Sequence, residues 1–360
     1  MHAFFAHQEG MEVIHIEKSA TPDGASVKNF GLIWVSGRAP GAELTFSLRA
    51  RELWQEVGSL IPETGFRGNG SLTLARNESE REILLRASEL PDAHLRQFEF
   101  LKPDEARKLE PSLGPDIAGA LRCKRDATVE PNLVLEALRR YLIKSPRYSW
   151  RPLTDITEFY SENSGAIVIT ALGERISSDF LLLSPGSDHD GVCATFLKDA
   201  PLRRVRLQMA ETENLGVVLK HSLADIDSLR YYPAFANCDL SNLPEQTEIA
   251  AKYHMQLLVA QRKNGGLTIG DTHEYEEPFE ERLREEPYDH LRLILNSVFG
   301  KELKLVRKWD GVYSQVTDSR IYFRKEVTSR IHIVTGMGGR GNTISPAVAE
   351  ETISLWRRAS

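Results

Sequence analysis

The chain is poor in cysteine. Its 360 residues include only Cys123, Cys193 and Cys238, too scattered for a disulfide framework or a cysteine metal knuckle. No apolar run approaches the roughly 18 residues of a bilayer-spanning helix. The opening residues carry two histidines and a glutamate and do not have the form of a signal peptide. Basic excess is missing as well: 45 Lys and Arg stand against 51 Asp and Glu, a net charge of −6. No positive stripe points to nucleic acid. Repeats and low-complexity segments are absent. The expectation is a soluble cytoplasmic protein, most simply an enzyme of small molecules, long enough for two domains.

What is present begins with "MHAFFAHQEGMEVIHIE". Residues 1–9 read as the end of an amphipathic helix, Gly10 as its cap and 11–16 as a strand ending in Glu17. Helix, glycine, strand and acid form the second half of a dinucleotide-binding βαβ unit, in which the acid holds the ribose. A G-x-G-x-x-G turn precedes that acid by roughly 20 residues. Counting back that far from Glu17 passes Met1. Read alone, the fragment is more simply an ordinary helix–strand pair.

The rest alternates in blocks. Helical spacing marks "ELTFSLRARELWQEVGSLI", "SEREILLRASEL" behind a serine cap, "PNLVLEALRRYLIK" and "EERLREEPYDHLRLILNSVFG". Strands are expected at "GNGSLTLARN", "DITEFY", "GAIVITAL" and "RISSDFLLLSPG". In the middle, "VRLQMAET", "SLRYYPAF", "YHMQLLVAQ" and "GLTIGD" read as successive strands of an antiparallel sheet, the kind that covers a substrate pocket. Two domains woven from discontinuous segments are expected: 1–45, 125–198 and 305–360 for a cofactor, 46–124 and 199–304 for a substrate.

The most informative stretch is "VTGMGGRGNTISPAVAEETI". A strand runs into Gly336, Gly338, Gly339 and Gly341, and Asn342-Thr343 leads into a helix with Pro346 in its first turn. Four glycines in six residues allow positive φ and close approach of a flat ligand. The helix N-terminus behind them favours an electron-rich group. A flexible turn is the plainer account. "DGASVKNFGLIW" is a second loop of little bulk, and "SSDFLLLSPG" ends with Gly186 where open α/β sheets bind ligands.

Together with "VEPNLVLEAL", "RLQM", "LRYYPAF", "LTIGDTHEY" and "WDGVYS", these stretches resemble the FAD-dependent D-amino-acid oxidase, glycine oxidase and sarcosine oxidase superfamily (DadA-like), and within it the bacterial branch associated with phosphonate metabolism. The resemblance covers nearly the whole chain. It implies an α/β, two-domain fold, a Rossmann-like FAD-binding domain interleaved with an antiparallel-sheet substrate domain. The first strand and glycine-rich turn of that fold are absent from this sequence. A start codon placed too far downstream is the favoured explanation, a truncated, cofactor-free remnant the alternative. The resemblance places Glu17 on the adenosine ribose and Ile156 at the adenine. Ala25, Ser26, Asn29, Phe30 and Gly31 follow the pyrophosphate and flavin, and Gly186 closes the strand beneath. Gly338, Gly339, Arg340, Gly341, Asn342 and Thr343 surround the pyrimidine end of the flavin. Gly311 stands where sarcosine oxidases carry the flavin-linking cysteine, so FAD is expected to be non-covalent.

The implied reaction is hydride transfer from the carbon bearing an amine nitrogen to FAD, then imine hydrolysis, with oxygen or a quinone as acceptor. An aminophosphonate is the expected substrate. The alternative is a D-amino-acid dehydrogenase or a glycine- or sarcosine-type oxidase. Glycine-oxidase-like members carry an arginine after W-x-G, where this chain has Val312 and Tyr313. Catalytic or binding candidates are His273, His254 and Tyr232, with Tyr231, Gln256, Arg204, Arg206 and Arg230 as further donors. Each has a plainer account as a half-buried sheet residue or surface charge. "THEYEE" lacks metal-ligand spacing, so no metal is expected.

Overall fold

The computed structural model describes residues 1–163 and 165–359. The chain divides into two compact units, 1–27 with 132–205 and 312–360, and 28–131 with 206–311. It passes between them along the long strands Leu202–Thr212 and Leu305–Val316. No helix among the described residues is long and apolar enough to cross a membrane.

The first unit is α/β. Its opening helix, His2–Gln8, ends at Gly10, whose φ of +83° a side chain would strain. Strand Val13–Ile16 follows and runs parallel to Tyr148–Arg151, its sole strand partner among the described residues. A separate sheet pairs Leu181–Leu183 in parallel with Ile331–Thr335, which pairs antiparallel with Phe323–Thr328. Ala6 of the first helix packs with Ile353 and Trp356 of the last helix, Gly341–Ala359. Val13 and Leu182 join the same apolar cluster, so both parallel sheets share one core. A three-stranded meander, Ile156–Glu162, Gly165–Thr170 and Arg175–Ser178, completes the unit.

The second unit is built on an eight-stranded sheet. Its order is Leu305–Val316, Leu202–Thr212, Leu267–Gly270, Leu258–Gln261, Ser222–Ala224, Ser71–Ala75, Gly119–Cys123, Phe98–Leu101. It is mixed rather than purely antiparallel, because Ser222–Ala224 runs parallel to Ser71–Ala75. Helix Glu285–Phe299 covers one face, burying Tyr288, Leu291, Leu295 and Val298 with Leu72, Val259 and Ile269.

Several local expectations change. "SLRYYPAF" is no strand but a helical turn, Ser228–Tyr231, and a 3-10 turn, Pro233–Phe235. Pro233 has no N–H for a sheet ladder, and Ser228 Oγ donates to the Asp225 carbonyl 2.7 Å away. Helix Glu78–Ala87 is capped by Asn77, whose side chain accepts from the Glu80 N–H, rather than by a serine. Helix 341–359 begins at Gly341, so Pro346 falls in its second turn. Residues 28–45 and 125–131, expected beside the cofactor segments, group with the second unit. The cause is local pairing: Leu32–Ile33 lies antiparallel to Ala127–Thr128, Thr128 bridges to Arg67, and the Asp126 carbonyl accepts from the Gly70 N–H.

Candidate functional site

In the first unit, two loops leave the same ends of the parallel strands Leu181–Leu183 and Ile331–Thr335. Thr335 Oγ1 donates to the Gly186 carbonyl at 2.6 Å and ties the loops together. Gly186 has φ +63°, and a Cβ on it would meet nothing within 4 Å. The second loop opens with Gly336 at φ +72°, buried against Leu202, Phe323 and Val316. Gly338 follows at φ +61°, then the 3-10 turn Gly338–Arg340 and the helix from Gly341. Met337 bridges to Gln315, and Arg340 Nε donates back to the Met337 carbonyl at 3.2 Å. Asn342 and Thr343 lie in the first helical turn, Thr343 buried.

At the end of strand Val13–Ile16, the Glu17 N–H donates to the Arg151 carbonyl at 3.0 Å, and its carbonyl accepts from Thr154 at 2.9 Å. The carboxylate accepts the Ser19 N–H at 2.9 Å. Lys18 pairs with Asp188 at 2.9 Å and holds that carboxyl below its ordinary range. Ile156 begins the meander. Ala25 and Ser26 sit in the turn after Gly24, and a Cβ on Gly24 would again meet open space. Small-residue loops at strand ends beside a helix N-terminus suit a flat, electron-rich group with a pyrophosphate. The residues present fit FAD in that respect.

The unit boundary falls inside the same loop, so Asn29, Phe30 and Gly31 belong to the second unit. Asn29 Oδ1 accepts the Gly31 N–H at 2.7 Å. Gly31 has φ +67°, and its carbonyl accepts from Val129 at 2.8 Å. Phe30 is buried, and a Cβ on Gly270 would lie 3.2 Å from its ring.

The second unit also gathers a buried polar cluster. The strand Leu267–Gly270 leads into Asp271 and His273, both nearly inaccessible. The His273 ring lies 4.2 Å from that of Tyr231, which packs edge-on against Tyr232. His273 Nδ1 faces the His254 carbonyl at 3.0 Å and therefore carries a proton. Its Nε2 is 3.9 Å from Asp271 Oδ2. Gln256 Nε2 donates to Asp271 Oδ1 at 3.3 Å and to the Tyr232 hydroxyl at 3.5 Å. Burial raises the Asp271 carboxyl above its usual range, partly opposed by the His273 charge. Burial also raises the Tyr232 phenol. His254 itself is exposed at φ +47°; it joins the cluster through its backbone, not its ring.

The other arginines considered are committed elsewhere. Arg204 donates to the Ser187 carbonyl and pairs with Asp190, and Arg230 pairs with Asp227. Arg206 is fully buried between Asp310 at 2.9 Å and Glu274 at 3.5 Å.

Sequence reasoning missed the clamp beside this cluster. Asp126 accepts the N–H groups of Val35 and Ser36 and the hydroxyls of Ser36 and Ser71. Arg96, fully buried, donates to the carbonyls of Val35, Ser36 and Arg38. The segment that packs on Tyr232 is thus held from both sides without being a strand. Asp271 was missed too, although an acid closing the apolar "GLTIG" was its visible signal.

The family model "DAO: FAD dependent oxidoreductase" matches residues 1–355. Glycine oxidase of Bacillus licheniformis is 22% identical over 322 residues, 86% of this chain and 76% of that protein. The crystal structure of glycine oxidase from Bacillus cereus ATCC 14579 has a TM-score of 0.80 at 19% identity, covering 100% of this chain and 92% of the other. That of glycine oxidase from Geobacillus kaustophilus has a TM-score of 0.79 at 18% identity, covering 99% and 90%. These structural likenesses concern the fold, a mixed α/β architecture with a large mixed sheet. The family match over nearly the whole chain decides the rest: this protein belongs to the DAO family and is an FAD-dependent oxidoreductase.

Proposed function

We propose that the protein oxidises the C–N bond of a small amine or amino acid. FAD, when bound, would supply the hydride acceptor for that oxidation, and water would hydrolyse the resulting imine to a carbonyl compound and an amine or ammonia. In this reading Glu17, Ala25, Ser26, Ile156, Gly186 and the Gly338–Thr343 turn hold the cofactor. The helix N-terminus behind that turn would favour negative charge on a ring held there. The buried His273, Tyr232, Gln256 and Asp271 meet the substrate. The observation that supports it best is the joined pair of glycine loops, fixed by Thr335 Oγ1 on the Gly186 carbonyl.

Two substrate classes fit the reaction, an aminophosphonate and a glycine- or sarcosine-type amine. A dianionic phosphonate asks for several charged donors. Each buried arginine of the second unit has at least one acceptor, Arg38 on the Trp34 carbonyl, Arg96 on the clamp, Arg206 on Asp310 and Arg262 on the Val129 carbonyl, while Arg206 Nη1 and Arg262 Nη2 have no hydrogen-bond partner among the described residues. The similarity to glycine oxidases supports the glycine- or sarcosine-type reading. The test is anaerobic bleaching of the flavin spectrum by glycine, sarcosine, D-alanine and an N-alkyl aminophosphonate. Preferential reduction by the aminophosphonate would reverse the substrate order, and no reduction by any amine would remove the reading.

A further inference from the structure

Gln256 is 3% exposed, and on the amine reading above its two amide atoms have different roles. Its nitrogen and oxygen are told apart by their neighbours. Asp271 Oδ1, 3.3 Å from Nε2, and the Tyr232 oxygen, 3.5 Å from it, both accept from the amide, so the amide presents its nitrogen there. That leaves Gln256 Oε1 buried with no hydrogen-bond partner among the described residues. A buried acceptor in that state is costly unless something donates to it. Neither His273 nor Tyr232 supplies it a donor. His273 Nδ1–H is spent on the His254 carbonyl, and its Nε2 faces Asp271 Oδ2. The Tyr232 hydroxyl receives the Gln256 amide on its nitrogen side.

We propose that Gln256 Oε1 accepts an N–H of the substrate amine, and that Asp271 is the positioning residue that fixes the amide in this orientation. One Asp271 oxygen holds the Gln256 amide and the other lies toward the His273 ring, so a single carboxylate sets two neighbouring groups. The ligand class is a small primary or secondary amine, or its ammonium form, carrying at least one N–H. Quaternary ammonium groups have nothing to donate.

The test is calorimetric binding of sarcosine and of trimethylglycine to the anaerobic holoprotein. Trimethylglycine has no N–H. Wild type should bind sarcosine about tenfold more tightly, the worth of one hydrogen bond to a buried acceptor. Gln256→Met, similar in shape, should lose that preference with trimethylglycine binding unchanged. Gln256→Glu keeps an acceptor oxygen and should restore it, which guards against a mere packing defect. Asp271→Asn, which no longer fixes the amide, should narrow the preference rather than weaken both ligands equally. Absent sarcosine binding, no preference in wild type, or a preference retained by Gln256→Met would overturn the proposal; in the last case an internal water holds Oε1. Failure of the amine-oxidation reading would look different: sarcosine would bind with the N–H preference while no amine bleached the flavin.

Discussion

A Cβ placed on Gly37 would lie 2.5 Å from Cδ1 of Tyr232. The ring has little room to retreat. It is buried, with Tyr231 edge-on at 5.1 Å, Trp34 at 6.2 Å and the Arg38 guanidinium 5.6 Å above its face. Gly37 cannot retreat either, because Asp126 and Arg96 grip the residues before it. Gly37→Ala should therefore overpack the site and destabilise the protein by about 1–3 kcal/mol, read from urea denaturation. Affinity for the amine should fall with it if Tyr232 meets the substrate. A variant with wild-type stability and affinity would mean the ring is free to move.

The carboxyl of Asp225 is buried, and burial, with the nearby Asp227 charge, raises it from 3.8 to about 7. Its Oδ1 accepts the Leu257 N–H at 3.1 Å. The folded state takes up a proton here that the unfolded chain has released, so stability is greatest below about pH 4 for this group and falls as pH rises to about 7. Linkage puts the full loss at up to about 4 kcal/mol. Asp225→Asn keeps an oxygen for Leu257 and removes the charge. Denaturation midpoints of the two proteins from pH 5 to 8 should diverge, with the variant gaining as pH rises. Parallel curves would show that Asp225 titrates normally.

What the sequence made legible follows from what its patterns encode. The glycine run 336–341 and the strand before it stand out because backbone freedom and apolar runs are local properties. The long helix Ala42–Leu60 was equally visible from its spacing. "SLRYYPAF" misled because tyrosines favour strands while Pro233 and the Asp225–Ser228 contact decide for turns. The clamp was invisible: Asp126 and Arg96 are ordinary charges until the fold brings them to Val35 and Ser36, 91 and 61 positions away. The unit boundaries shifted for a similar reason, since the short pair Leu32–Ile33 with Ala127–Thr128 leaves little mark in the sequence.

Gly341 offers a clean test of the cofactor turn. It has ordinary helical angles, φ −54° and ψ −45°. A Cβ there would meet Met337 at 3.5 Å, ordinary contact, so the protein itself tolerates a side chain. Gly341→Leu should then fold with near wild-type stability and lose FAD, because the leucine takes the space assigned to the ring. The flavin-to-protein absorbance ratio and a melting curve of the stripped protein report the two effects separately. Stoichiometric yellow cofactor in the variant would show that the turn does not hold the ring.

His273 carries the substrate assignment. Its Nδ1 proton is committed to the His254 carbonyl, so Nε2 is the nitrogen left for Asp271 or a ligand, and Nε2 donates only in the cation. A hydrogen bond to a charged substrate group contributes about 1.5–3 kcal/mol. His273→Ala should accordingly weaken binding of an anionic amine about tenfold to a hundredfold. Flavin reduction at saturating substrate should change less, because His273 is assigned to binding rather than to hydride transfer. Stopped-flow reduction measured against substrate concentration separates the two quantities. Unaltered affinity with slowed reduction would place His273 at the chemical step, and unaltered values of both would leave it only its packing against Tyr231.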